Sequence, residues 1–153
     1  MATADLSHRF EGESVGRALE LVGERWTLLI LREAFFGVQR FSQLARDLNI
    51  PRPTLSSRLR MLVDVGLLDR VPYSRDPERH EYRLTDKGLD LYPILVAVRE
   101  WGDRYMAEDG PPLKVRHRDC GGDPRIHLQC DRCGEEVGPR EAEAKPGPGL
   151  KAA

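Results

Sequence analysis

Four residues near the end of the chain have types and spacing that suit metal binding. His117 and Cys120 are separated by two residues, as are Cys130 and Cys133, and a Gly follows the second member of each pair. One imidazole and three thiolates form a ligand set for tetrahedral zinc, and the glycines allow each turn to fold tightly around an ion. The spacing therefore predicts zinc with His117, Cys120, Cys130 and Cys133 as ligands. Because all four positions are filled, such an ion is structural rather than catalytic.

Three alternatives to this site remain open. His127 is a second candidate for the fourth ligand, although its place in an extended linker between the pairs favours an incidental role. The segment could instead be a flexible tail with free thiols. Cys130 and Cys133 could also be redox-active, but a thioredoxin-like pair needs a βαβ context that the sequence lacks. The three cysteines are odd in number and clustered, which argues against a disulfide scaffold.

A second chemically distinctive set lies on a predicted helix from residue 53 to residue 65. Leu55, Leu59 and Leu62 recur at helical spacing and define its buried side, which leaves arginine and hydroxyl groups opposite. Arginine can pair with guanine through two hydrogen bonds, serine and threonine can bond to bases or phosphates, and a helix N-terminus favours a phosphate. The predicted DNA contacts are Arg52, Thr54, Ser57 and Arg58 in the groove, Ser56 in the same first turn, and Arg60 on the backbone or groove wall. The alternative is an ordinary solvated helix face.

The segment before this helix favours the DNA interpretation. Residues 41–48 are predicted to form a short amphipathic helix capped by Ser42, and residues 49–51 supply a turn. Pro53 suits the first position of the next helix, where its missing N–H would be unpaired anyway, and Gly66 ends that helix. Two helices around a tight turn predict a helix-turn-helix, whose second helix enters the DNA major groove.

Two strand-like runs follow, at residues 67–73 and 80–84, around a polar turn that contains Pro77. Runs of this kind after a helix-turn-helix predict a β-wing. The predicted wing covers residues 71–83 and contacts the DNA backbone or the minor groove.

Basic residues concentrate in the same part of the chain. Residues 40–83 contain nine Arg against six Asp and Glu, whereas the whole chain has 24 basic and 25 acidic residues. Contact with phosphates requires such a local excess, although this one is small. Arg75 and Arg79 flank the wing tip and are predicted to touch phosphates or the minor groove. The alternative is a solvated turn in which Asp76 and Glu78 are their partners.

Helical periodicity also flanks the predicted helix-turn-helix. Residues 15–36 predict two helices with a break near Gly23, and Gly37 lies where the second would end.

Residues 85–88 are expected to open a last long helix. The apolar stripe of this last helix is longer than the core of a small domain needs. A single DNA-reading helix also spans only one half-site, so specific binding usually requires two of them. We therefore expect a homodimer in which this stripe and the N-terminal helix pack against a second subunit; the alternative is an intrachain core. The predicted interface residues are Leu91, Ile94, Leu95, Val98, Trp101 and Tyr105.

These observations predict a mainly α fold with a small β-wing, a winged helix-turn-helix, followed by a small C-terminal zinc-ribbon-like appendage. The predicted boundaries are residues 13–109 for the DNA-binding and dimerisation domain, 113–140 for the Cys/His segment, and 141–153 for a Gly- and Pro-rich disordered tail. No apolar run approaches the roughly 20 residues of a membrane span, and no signal pattern begins the chain. We expect a soluble, cytoplasmic protein.

Three sequence motifs are specific enough to indicate a family. They are GERW at residues 23–26 followed by LLILRE, the run LSSRLRMLVDVGLLDRVPY, and YRLTDKG after the predicted wing. Over about residues 13–107 the chain resembles the HxlR-type regulators, relatives of the MarR proteins. The resemblance implies a winged-helix homodimer that binds double-stranded DNA in promoter regions and regulates transcription, and we expect a repressor.

The chain departs from the family pattern at one position. Family members often carry Cys-Pro-Val before the first helix as a thiol sensor. Residues 13–15 of this chain are Glu-Ser-Val, so we do not expect thiol sensing at this position.

Two other classes of function compete with DNA binding. An enzyme is not expected, because the chain has no GxGxxG, P-loop or GxSxG and its four His form no visible triad. A winged helix that only binds proteins, with the zinc ribbon as docking surface, is opposed by the arginines on helix 53–65. Trp26, Phe35 and Trp101 leave a small-molecule effector site open, although aromatic residues at helical spacing are more often core.

Overall fold

The computed structural model describes residues 13–75, 77–145 and 147–149, which form six helices and two strands. They divide into two compact units, one ending at Leu95 and the other beginning at Val96. Residue 146 and residues 150–153 of the predicted tail lie outside the described residues. The elements are α1 (Ser14–Val22), α2 (Arg25–Phe35), α3 (Phe41–Asp47), α4 (Arg52–Asp64), β1 (Leu68–Arg75), β2 (Glu78–Leu84), α5 (Asp86–Leu89) and α6 (Tyr92–Tyr105). The predicted mainly α fold with a β-wing is confirmed.

The predicted break between the first two helices is also confirmed. Gly23 follows α1, and its N–H donates to the carbonyl oxygen of Leu19 at 2.7 Å. A Cβ at Gly23 would lie 2.5 Å from that oxygen, so the close approach requires glycine. Glu24 then caps α2, because its carboxylate accepts hydrogen bonds from the backbone N–H groups of Trp26 at 3.1 Å and Thr27 at 3.3 Å. A carboxylate at this end also interacts favourably with the helix dipole.

The helix-turn-helix consists of α3 and α4. The turn between them contains Asn49, whose φ of 48° lies in the left-handed region that Asn tolerates better than most residues. Gly66 has a φ of 73° and ends α4, as predicted. These two left-handed residues fix where α4 begins and ends, and therefore which of its side chains face outward.

Two predicted details at the helix starts are wrong. α4 begins at Arg52 with Pro51 as its N-cap, so Pro53 takes the second helical position rather than the first. The missing N–H still costs nothing there, because none of the first N–H groups of a helix has an intrahelical partner. Ser42 does not cap α3, whose N-cap is Arg40 and makes no side-chain cap hydrogen bond. α3 starts two residues earlier than a Ser42 cap requires.

The core of the first unit lies between α2, α3, α4 and the start of β1. Each of its residues is at most 7% exposed, and burying an aliphatic side chain to this extent contributes about 1.5–3 kcal/mol. This packing holds α4 by one side only, which leaves its other side at the surface. The core residues are Val22, Ile30, Leu31, Ala34, Leu44, Ile50, Leu55, Leu59, Leu62, Leu67 and Leu68.

The wing is an antiparallel pair in which Leu68 lies opposite Leu84 and Arg75 lies opposite Glu78. Both strands extend further towards the tip than the predicted runs 67–73 and 80–84. The polar residues near the tip have weak strand propensity, so it is the pairing with the other strand, and not the residue types, that sets the length. The register shifts between Pro72 and Ser74, next to a residue that has no N–H to give to the ladder.

The prediction of one long helix from Thr85 onward is wrong. Thr85 caps the short helix α5, and a second helix, α6, begins at Tyr92. Pro93 lies in the first turn of α6, where proline is tolerated, whereas inside a continuous helix it would clash with the preceding turn. The chain therefore ends one helix and starts another.

The second unit contains the later part of α6 and the C-terminal segment. Residues 113–140 contain turns and one isolated antiparallel bridge, between Gln129 and Glu136. None of the residues 113–140 is buried. The zinc-ribbon-like fold of this segment therefore stays a prediction.

Of the helices in the described ranges, none combines the length and the apolar character that a membrane crossing needs.

Candidate DNA interface

The side chains of α4 divide cleanly between the core and the surface. Leu55, Leu59 and Leu62 are at most 1% exposed, so the predicted buried stripe is confirmed. On the other side the helix presents a guanidinium and hydroxyl flank to solvent. Of the six predicted DNA contacts, Arg52, Ser56, Ser57 and Arg60 are exposed, and Thr54 and Arg58 are half-buried.

Two exposed arginines on this flank have no carboxylate partner within the part of the chain that the structure describes. Among the described residues, no carboxylate oxygen lies within 4.0 Å of the guanidinium of Arg52 or Arg60. The Arg52 guanidinium lies 5.8 Å from the centre of the Phe41 ring, where a cation–π attraction restrains it. Both groups are placed to meet an external anion such as a phosphate.

Arg58 differs from Arg52 and Arg60 because it forms an ion pair with a glutamate, a contact that the sequence spacing of the two residues did not indicate. Its Nε lies 3.3 Å from Oε2 of Glu24, the residue that caps α2. The pair is half-exposed on both sides, with 35% of each side chain accessible. Glu24 thereby joins the start of α2 to the outward side of α4 and orients the Arg58 guanidinium, which has further N–H donors available.

The wing tip places Arg75 and Arg79 on adjacent ends of the two strands. Arg75 pairs across the hairpin with Glu78, and Arg79 pairs with Ser74. Both arginines are exposed. Of the two residues between the strands, Asp76 lies outside the described residues, and so does its part in the alternative of a solvated turn.

A contact between Arg40 and the wing is a feature that the sequence did not signal. Arg40 Nε lies 3.1 Å from Glu81 Oε1, and its guanidinium lies 4.4 Å from the centre of the Tyr73 ring. Hydrogen bonds from Arg83 and Arg40 hold the pKa of Glu81 below its usual value. Because Arg40 precedes α3 directly, this cluster links the wing to the helix-turn-helix.

The end of α4 is joined to the wing by residues of the YRLTDKG motif. The hydroxyl of Thr85 donates to the Gly66 carbonyl oxygen at 2.6 Å and accepts from the Gly88 N–H at 3.1 Å. The Lys87 ammonium donates to the Val65 carbonyl oxygen at 2.7 Å, where a cation also favours the helix C-terminus. These bonds position α4 relative to the hairpin that follows it.

The four predicted zinc ligands are present as two pairs. His117 Nδ1 lies 3.3 Å from Cys120 Sγ. Backbone N–H groups of Cys133 and Arg132, followed by the Cys133 side chain, lower the pKa of the Cys130 thiol. Within the described ranges, His, Cys, Asp and Glu side chains form no group of three or more that could hold a metal.

The predicted interface stripe on α6 contains two residues that pack against the core and four that are exposed. Leu91 and Leu95 pack against the core, as the intrachain alternative requires. The exposed members of the stripe, with 45–65% of their surface accessible, are Ile94, Val98, Trp101 and Tyr105. The dimer interface stays a prediction for these four residues.

The three aromatic residues considered for an effector site have different environments. Trp26 and Phe35 are half-buried and pack against the core, and Phe35 lies 5.0 Å from the Tyr92 ring. Trp101 is 59% exposed. Core packing of Trp26 and Phe35 agrees with their helical spacing, and an effector site there stays a prediction.

Comparison with known proteins assigns the chain to a family. A model described as HxlR-like helix-turn-helix matches residues 21–110. An uncharacterized HTH-type transcriptional regulator of Mycobacterium tuberculosis (strain ATCC 25618 / H37Rv) is 70% identical over 155 residues, which cover 99% of this chain and 97% of that protein.

Two solved structures extend the likeness to the fold. The crystal structure of PA1607, a proposed transcription factor, has a TM-score of 0.81 and 35% identity, and the match covers 92% of this chain and 99% of that one. PA1374 from Pseudomonas aeruginosa, also a proposed transcription factor, has a TM-score of 0.65 and 37% identity over 88% of this chain and 92% of that one.

The matched family model spans the helix-turn-helix, the wing, and both helices that follow. It leaves out all three cysteines, which lie beyond residue 110. The relative is described as a transcriptional regulator, a class of protein that generally does not catalyse reactions. The chain is a member of the HxlR family of helix-turn-helix transcriptional regulators.

Proposed function

We propose that the chain is a sequence-specific repressor that binds promoter DNA in the cytoplasm as a homodimer. α4 enters the major groove, and the wing contacts the backbone or the minor groove. The observation that carries this proposal is the guanidinium and hydroxyl flank of α4, exposed opposite a stripe of fully buried leucines. A flank fixed in this way by a rigid core is suited to reading base edges without reorganising.

The predicted contacts take different roles in this proposal. Arg60 binds a phosphate, and so does Arg52 in place of the groove contact expected from the sequence, because neither is neutralised by a described carboxylate. Arg58 reads a base, because Glu24 holds its Nε and leaves its terminal N–H groups for guanine. The remaining contacts at the start of α4 are the hydroxyls of Thr54, Ser56 and Ser57. At the wing tip they are Arg75 and Arg79.

The proposed dimer is supported by apolar surface that a single chain leaves uncovered. Ile94, Val98, Trp101 and Tyr105 are spaced by four, three and four residues, so they form one row along α6, and all are exposed. α1 carries its own exposed pair, Val15 at 61% and Leu19 at 57%. Exposed apolar rows of this kind mark interaction sites, and a second copy of the chain would cover each of them symmetrically.

Phosphate binding by α4 is tested by the salt dependence of affinity for duplex DNA. Arg60→Ala should weaken binding to all sequences similarly and reduce the slope of log affinity against log salt by about 1. Arg46→Ala is the matched control, because Arg46 is also exposed but is paired with Asp47 at 2.7 Å. An unchanged slope for Arg60→Ala would contradict the assignment of Arg60.

The dimer is tested by sedimentation velocity at micromolar concentration. The unmodified chain should sediment as a dimer of 17.4 kDa subunits, and Val98→Glu should produce monomer. Ser57→Glu places a carboxylate at an exposed position of α4, outside the apolar row, and should leave the dimer intact. A monomeric unmodified chain, or a Val98→Glu dimer of unchanged stability, would overturn the proposed interface.

Repression is tested with a reporter gene placed behind a promoter that carries the bound site. Expression should fall when the regulator is present and recover with Arg60→Ala. An increase in expression would identify an activator and leave the DNA-binding part of the proposal in place.

A further inference from the structure

We propose that His117, Cys120, Cys130 and Cys133 bind one structural zinc ion per chain, closing two preformed turns onto each other. The two turns have the same backbone hydrogen bonds. In the first, the N–H of His117 donates to the Gly122 carbonyl and the N–H of Gly121 donates to the His117 carbonyl, both at 2.8 Å. In the second, the N–H of Cys130 donates to the Glu135 carbonyl and the N–H of Gly134 donates to the Cys130 carbonyl, both at 2.9 Å.

The residue after the second ligand of each turn is a glycine with positive φ. Gly121 has a φ of 72° and Gly134 a φ of 75°. Because L side chains rarely adopt this conformation, glycine at both positions lets the backbone fold back around the ligand pair. Two turns that share ligand spacing, hydrogen bonds and left-handed glycine are two copies of one metal-binding half-site.

The donor atoms of the first turn are already at a distance suited to a shared ion. His117 Nδ1 and Cys120 Sγ are 3.3 Å apart. Ligand bonds of about 2.0 Å to nitrogen and 2.3 Å to sulfur, at a tetrahedral angle, require a separation of about 3.5 Å. A single zinc ion can therefore bridge this pair with a movement of a few tenths of an ångström.

The second turn lies at the end of a small hairpin. Gln129 and Glu136 form an antiparallel bridge, and the N–H of Val137 donates to the Leu128 carbonyl at 2.8 Å. The Gln129 side chain donates to the Gly134 carbonyl at 2.6 Å, which braces the turn from within. A ligand pair at the tip of a hairpin is the arrangement that a zinc ribbon requires.

The linker between the turns is attached to the later part of α6. Arg99 donates to the Pro124 carbonyl at 3.1 Å, and the N–H of Ile126 donates to the Glu100 carboxylate at 3.4 Å. These bonds fix the middle of the segment but neither turn. Among the described residues, no side-chain hydrogen bond from α6 reaches either turn, so the proposed closure breaks neither of these bonds.

The segment lacks the apolar core that would hold its turns together without metal. None of the residues 113–140 is buried, and Leu128 is 65% exposed. Within the described residues the four ligands stand as two pairs rather than as one group of three or more. Metal binding would join the pairs and contribute the folding free energy that side-chain burial does not.

The proposal is tested by measuring the metal content of full-length protein purified without chelator after growth with added zinc. We expect about one zinc per chain, and loss of the metal in Cys133→Ser and His117→Ala. His117→Cys should retain zinc, because four cysteines also form a structural zinc set. His127→Ala is the matched control and should retain it as well, since His127 lies between the pairs and contacts Glu136 at 3.5 Å. Less than half a zinc per chain, or loss in His127→Ala but not in His117→Ala, would overturn the proposed ligands.

A second measurement keeps the proposal testable even if a variant misfolds. Cobalt(II) added to zinc-depleted wild-type protein should give the intense visible bands of tetrahedral coordination together with thiolate charge transfer. Limited proteolysis should cut within residues 113–140 in the zinc-depleted protein and be suppressed when zinc is restored. Weak octahedral bands, or identical cleavage with and without zinc, would contradict a closed four-ligand site.

Discussion

The hydroxyl of Thr85 lies 2.6 Å from the carbonyl oxygen of Gly66, the residue at which the chain leaves α4. The same hydroxyl accepts from the Gly88 N–H and so caps α5. One side chain therefore joins the end of the proposed DNA-reading helix to the end of the wing. Because DNA binding requires both elements to reach the duplex together, this junction is part of the interface although none of its atoms needs to touch DNA.

Thr85→Val should destabilise the fold by about 1–2 kcal/mol, because it keeps the shape of the side chain but removes both a helix cap and a half-buried hydrogen bond. The free energy of unfolding from chemical denaturation measures the loss. Thr85→Ser keeps the hydroxyl and should recover most of it. Equal stability of the Val and Ser variants would show that the hydroxyl bonds do not contribute.

Gly88→Ala should be more damaging than a glycine exchange elsewhere. A Cβ at Gly88 would lie 2.3 Å from the Leu67 carbonyl oxygen, so the backbone at the start of β1 must shift. Gly16→Ala is the control, because nothing lies within 4 Å of its Cβ position. We expect a clear fall in the thermal midpoint for Gly88→Ala and a neutral or small stabilising effect, up to about 1 kcal/mol, for Gly16→Ala. Similar midpoints for both variants would refute the close packing at Gly88.

Thr27→Val should leave stability unchanged or raise it by about 1 kcal/mol. Thr27 is fully buried, and its hydroxyl has no hydrogen-bond partner among the described residues. Removing an unpaired buried hydroxyl eliminates a desolvation cost while a side chain of similar shape fills the space. Denaturant unfolding measures the change, and a loss of more than 1 kcal/mol would indicate that the hydroxyl is bonded in solution.

Glu81 should make the wing sensitive to acid. Hydrogen bonds from Arg83 and Arg40 hold its pKa below the ordinary value of 4.5, so the charged carboxylate stabilises the folded state. This stabilisation is fully present above pH 4.5 and is lost as the pH falls through the lower folded pKa. The stability difference between the wild type and Glu81→Gln should therefore shrink on acidification below pH 4.5. A difference that is constant down to pH 2 would exclude the ion cluster as its source.

Sequence reasoning succeeded where the determining signal is local. The break at Gly23, the end of α4 at Gly66 and the buried stripe of α4 each follow from one residue type or one short periodicity. The division between α5 and α6 was missed because the periodicity continues across it, although Pro93 was a usable local signal. Ser42 was misassigned because several residues near a helix start can serve as its cap.

The contacts that tie the elements together could not be predicted in the same way. Arg40 and Glu81 are 41 residues apart, and Glu24 and Arg58 lie on different helices. Neither pair has a spacing that distinguishes it from other Arg and Glu combinations in the chain. Only the fold brings them together, so Arg58 could be predicted as a surface arginine but not as one oriented by Glu24.

The central claim is that the outward flank of α4 reads base pairs, and selection from a random duplex library tests it most directly. The wild type should enrich a symmetric site with half-sites about one helical turn apart. Arg58→Ala should select the same site without preference at one base pair in each half, a loss of about 1–3 kcal/mol of discrimination. Arg46→Ala should select the wild-type site unchanged. If Arg58→Ala and variants of Thr54 and Ser57 all retain every base preference of the wild type, α4 is not the reading element.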